Sequence, residues 1–128
     1  YAKTINIEAL TMIDMASKQI IPAVIRYTKS LADTVIAVRD AGADASAQID
    51  LLKAVSDKLS AMKAALTKLE EVEAEAGAIS NAKEQAFYYK DVVKEAMEKL
   101  RVPVDEAEML VDKQVWPMPT YGDLIFEV

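Results

Sequence analysis

From Ile5 the apolar residues fall at Ile5, Ala9, Met12, Ala16, Ile20, Val24, Tyr27, Leu31, Val35 and Val38, and every step is three or four. Only an α-helix brings residues so spaced onto one face, so this run commits the first third of the chain to a long helix. Ile7, Leu10, Ile13, Ile21, Ile25 and Ile36 widen the stripe. A face that broad is expected to be buried against more than one neighbour. Pro22 lies inside the run, where it has no N–H for the Lys18 carbonyl and its ring crowds that oxygen. The spacing therefore predicts either a kinked helix or a break into two, with Gly42 as the C-terminal stop.

Two further runs repeat the pattern. Leu52, Val55, Leu59, Met62, Leu66 and Leu69 alternate steps of three and four, the seam of near-parallel helix packing. Asp44 or Ser46 should cap this helix, and Gly77 should end it after Glu70, Glu71, Glu73 and Glu75. Asn81, with Glu84 three residues on, reads as a capping box. It opens a third helix marked by Ala86, Tyr89, Val93, Ala96, Leu100, Val104, Ala107 and Val111, with a kink expected at Pro103. The fold class is all-α, an antiparallel bundle of three long helices, or four if the first breaks at Pro22. The bundle should cover residues 1–115, with residues 116–128 as an extended apolar tail. Pro117, Pro119 and Gly122 exclude a helix there.

Composition removes whole classes of function. The 128 residues include no Cys and no His, so no disulfide, thiolate nucleophile, imidazole base or His/Cys metal site can form. A net charge of −6 argues against nucleic acid, which needs clustered cations. No apolar run reaches the ~18–20 residues of a membrane span, and a cytoplasmic location is the expectation. No initiator Met precedes Tyr1, which either processing or a piece cut from a longer protein would explain. No catalytic, cofactor-binding or metal-binding residue is expected in the chain. The acidic stretch Glu70–Glu75 points in several directions around its helix and reads as a solvated face. Tyr89 is expected in the core, with Phe87 or Tyr88 toward a neighbour. The methionines read as core filler.

The tail is the candidate functional element. Trp116, Met118, Tyr121, Leu124, Ile125 and Phe126 crowd six large apolar side chains into a segment without helical period. Consecutive residues of an extended strand face opposite sides, so one surface cannot cover Leu124, Ile125 and Phe126 together. They are expected to dock on another domain or subunit, the alternative being a tail folded back on its own bundle.

Two stretches carry a family resemblance. Lys3-Thr4-Ile5-Asn6-Ile7-Glu8-Ala9-Leu10-Thr11-Met12-Ile13-Asp14-Met15-Ala16, continuing to Ile21-Pro22-Ala23-Val24, is one. The other runs from Tyr89-Lys90-Asp91-Val92-Val93 through Ala96-Met97 and Leu100-Arg101 to Trp116-Pro117-Met118-Pro119-Thr120-Tyr121-Gly122-Asp123-Leu124-Ile125-Phe126. Both resemble the C-terminal region of type III glutamine synthetases, the large bacterial form, and the closing segment is the most specific. The resemblance implies a parent enzyme that ligates ammonia to glutamate with ATP and magnesium, using residues of a catalytic domain that has no counterpart here. It implies a non-catalytic structural and assembly role, with that catalytic domain and neighbouring subunits of a homo-oligomer as partners. An independent helical signalling or adaptor module is the alternative, and a ligand-binding bundle with a cavity between kinked helices is a third.

Overall fold

The computed structural model describes residues 2–118, and every regular element among them is helical. The chain forms three successive rods. Residues 2–40 comprise α1 (Ala2–Met15), a π-helical turn (Ala16–Ile20) and α2 (Ile21–Asp40); the second rod is α3 (Ser46–Ala78). Residues 82–110 comprise α4 (Ala82–Tyr88), a second π-helical turn (Tyr89–Val93) and α5 (Lys94–Leu110).

The first rod does not break at Pro22. Instead the Ile21 N–H reaches back five residues to the Ala16 carbonyl, which widens the helix just before the proline, and Pro22 then sits in the first turn of α2. The ring is tolerated because Pro22 has no N–H to place and the widened turn relieves its crowding of the preceding carbonyls. Pro103 is buried inside α5, which continues past it to Leu110. The irregularity of the third rod lies ten residues earlier, where the Lys94 N–H bonds the Tyr89 carbonyl.

The connections follow local chemistry. Gly42 takes φ +82°, and the bonds Gly42 N–H to Arg39 O and Ala43 N–H to Val38 O complete a Schellman motif. The N-cap of α3 is Ala45 rather than Asp44 or Ser46, and Asp44 instead accepts from both the Ser46 N–H and the Ser46 hydroxyl, satisfying one of the orphan donors of the helix. Those two bonds hold its carboxyl below the usual range. Asn81 Oδ1 accepts from the Glu84 N–H at 3.0 Å, the anticipated cap. Gly77 is not a stop. It is helical, α3 extends to Ala78, and extended backbone at Ile79 ends it (φ −75°, ψ 121°).

All three rods feed one core. Ile5, Ala9, Ala16, Ile20, Val24 and Leu31 meet Val55, Met62, Leu66, Leu69, Val72 and Ala76, closed by Tyr89, Val93, Ala96, Met97, Leu100, Ala107 and Val111. Cross-links fix the alignment of the second and third rods. Lys58 Nζ lies 3.3 Å from Glu106 Oε2, whereas Gln85 Nε2 donates to the Ala76 carbonyl at 3.0 Å. No buried charged or polar residue interrupts this core among the described residues, and none of their helices is long and apolar enough to cross a membrane.

Candidate docking surface

The six tail residues separate. After α5, Asp112 organises a turn: its carbonyl accepts from the Val115 and Trp116 N–H groups, and its Oδ1 accepts from the Gln114 N–H. The turn brings Trp116 back onto the chain's own core, where it is 6% exposed, and Met118 packs half-buried beside it. Trp116 is therefore core rather than the start of a separate tail. Its indole N–H finds no acceptor among the described residues, and Gln48 Oε1 is likewise buried without a partner. Tyr121, Leu124, Ile125 and Phe126 lie outside the described residues.

The large apolar surface that the described residues leave open is elsewhere. Ile7, Leu10, Ile25 and Ile36 are each more than half exposed, so the flank that widens the first stripe is not covered by this chain. Phe87, Val102 and Met109 add exposed apolar area on the third rod. Between α1 and α5 two depressions of about 330 and 180 Å³ follow one another. Ile7, Thr11 and Met97 line the first, Met15, Ile20 and Val104 the second, and Met12 and Arg101 belong to both. Arg101 is exposed and has no ion-pair or hydrogen-bond partner among the described residues.

A polar cluster joins the rods beside the second π-helical turn. Tyr89, 5% exposed, donates its hydroxyl to Asn6 Oδ1 at 3.2 Å and lies 3.5 Å from Glu73 Oε1. One proton cannot serve both acceptors at once, and Glu73 Oε2 is buried with no partner. Burial pushes the Glu73 carboxyl up from the usual glutamate range, against the smaller pull of the Tyr89 hydroxyl. Burial, then the Glu73 charge, raises the Tyr89 phenol. Next door the Tyr88 hydroxyl donates to Glu75, which pushes that phenol up to about 12. The acidic stretch is thus not uniformly solvated, because two of its carboxylates are tied to tyrosines. Nothing here resembles an acid–base pair or a metal cage. Among the described residues no three acidic side chains converge, and the cluster's hydroxyl and amide serve packing.

Comparison with known proteins places this architecture. Residues 1–39 match the glutamine synthetase C-terminal domain. A glutamine synthetase of Butyrivibrio fibrisolvens is 32% identical across the whole chain, and one of Bacteroides fragilis is 27% identical over 98% of it. Along its whole length, the chain is similar to part of these glutamine synthetases. It spans about a fifth of the length of those two curated relatives, 19% and 18% respectively. The glutamine synthetase match carried by residues 1–39 covers the first rod, which holds the exposed flank Ile7, Leu10, Ile25 and Ile36. Sequence reasoning placed the docking element in the tail, expected this flank to be buried against a neighbour, and gave Arg101 no role. The signal was present in the breadth of the stripe, which exceeds what one neighbouring helix covers.

Proposed function

We propose that this chain is the C-terminal helical part of a type III glutamine synthetase, an antiparallel bundle that serves as a non-catalytic structural and assembly domain. Its partners on this reading are the catalytic domain of the same polypeptide and neighbouring subunits of a homo-oligomer. The parent reaction, ligation of ammonia to glutamate driven by ATP with magnesium, is carried by residues outside this chain. The observation that carries the reading is the uncovered apolar flank Ile7, Leu10, Ile25 and Ile36 on a segment that amounts to a fifth of its relatives' length. Half-exposed aliphatic side chains recurring along one rod support a contact surface there. Deleting the segment from the full-length polypeptide should lower the assembly mass seen by light scattering, or the ligase activity, or both. A deletion protein with unchanged mass and activity refutes the assembly role.

A further inference from the structure

We propose that the seam between α1 and α5 seats a segment of the same polypeptide from outside these 128 residues, one that inserts an apolar side chain and offers a carboxylate to Arg101. The proposal rests on the assembly reading above and names the contact that reading requires. The two depressions share Met12 and Arg101, so they form one trough. From Ile7 to Ile20 that trough runs roughly 20 Å at 1.5 Å per helical residue. Its shape is long and shallow, which suits an extended or helical peptide better than a compact small molecule. Met12, Met15 and Met97 give the walls unbranched side chains that adapt to an inserted partner. Ile7, at one end of the trough, is itself 64% exposed.

Arg101 sets the chemistry of the occupant. It is the cation common to both depressions and is unpartnered among the described residues, even though Glu8 and Asp105 line the same trough. A guanidinium offers a planar fork of donors that fits a carboxylate in bidentate fashion. Once an apolar neighbour excludes water around it, such a pair gains strength and directs register. More than four-fifths of the length of the relatives lies outside the matched region, so the polypeptide itself has ample chain to supply this segment.

The test replaces the guanidinium by an amine in the full-length polypeptide, Arg101→Lys, and couples it with a zero-length carbodiimide reagent before mass mapping. The expected product is an amide joining position 101 to an Asp or Glu outside residues 1–128. Coupling only to Glu8 or Asp105, coupling between two copies at this segment, or no coupling each overturns the proposal. In parallel, Arg101→Glu in the full-length polypeptide should weaken association on the order of tenfold or more, with the melting temperature of residues 1–128 unchanged. If the reversal has no effect while deletion of the whole segment still dissolves the assembly, the seam is wrong and the assembly role stands. If neither matters, both fall.

Discussion

Cutting the chain after Lys113 should destabilise it by several kcal/mol, because the cut removes Trp116 from the core. The indole is 94% buried against 6% exposed. An aromatic side chain of this size removes about 150–250 Å² from water, worth roughly 4–6 kcal/mol at about 25 cal/mol per Å². The unpaired indole N–H subtracts on the order of 1–3 kcal/mol for its lost hydration. The balance is about 1–5 kcal/mol, and its midpoint of about 3 kcal/mol shifts the melting temperature of a chain of this length by roughly 10 °C. Trp116→Ala should reproduce most of that loss, whereas Trp116→Phe should cost about 1 kcal/mol or less, since it retains the ring and removes the orphan donor. Trp116 is the sole tryptophan, so its fluorescence should report a water-excluded indole that becomes exposed in the same cooperative transition seen by circular dichroism. Matching melting temperatures for residues 1–113 and 1–128 would refute the argument, and the tail would then be free of the core as its composition alone suggests.

Four other outcomes follow from burial and charge. Leu66→Ala should cost roughly 2–5 kcal/mol, because Leu66 is 1% exposed. Leu59→Ala should cost visibly less in the same urea titration, because Leu59 is only half-buried on the seam; equal losses would contradict the register. Lys58→Ala should change stability by no more than about 1 kcal/mol, since its ion pair with Glu106 is partly exposed. Burial raises the Glu73 carboxyl above its ordinary value of 4.5, so the folded state holds that proton more tightly than the unfolded state. Its charge opposes folding at neutral pH, and the penalty is relieved as the pH falls through the folded pKa toward 4.5. Glu73→Gln should therefore be more stable than the parent at pH 7 and should flatten this slope in pH-dependent denaturation; a less stable variant would refute the burial argument. Tyr88 should ionise near 12 in an ultraviolet titration, and Glu75→Gln should bring it down toward 10. If that variant leaves the titration unmoved, Glu75 is not the cause.

Much of the fold was legible because it depends on local chemistry. The three apolar runs place Ile5, Val24, Val55, Met62, Leu66, Tyr89, Val93 and Leu100 in the core, and all are buried. Gly42 and Asn81 work as read, because a positive φ and a side-chain cap are properties of single positions. Gly77 misled, since glycine permits a stop without requiring one, and the helix ends where Ile79 turns extended. The π-helical turn at Tyr89–Val93 left no trace in the spacing, because 89, 93 and 96 keep steps of three and four either way. The proline at 22 did announce a disturbance but not its form. A wider turn that shifts the hydrogen-bond register costs less than abandoning the helix, whose α1 and α2 faces both feed the core.

The site was less legible for a different reason. Periodicity reports that a face is apolar and is silent on which molecule covers it. Val24 and Ile25 are both branched aliphatic residues, adjacent in sequence, yet Val24 is 0% exposed and Ile25 51%. The helix turns them about 100° apart, and the packing of α2 on α3 decides which of the two faces is covered. The same ambiguity misplaced Trp116, whose apolar, proline-flanked context looks like a docking tail until the Asp112 turn directs it inward. The interaction surface then shifts to residues that sequence spacing had assigned to the interior, Ile7, Leu10, Ile25 and Ile36. Each such side chain is worth about 1.5–3 kcal/mol when fully covered, so sealing their half-exposed faces together is worth several kcal/mol. A driving force of that size suits a permanent contact within one polypeptide or assembly, because there the segment never has to be soluble with this flank bare.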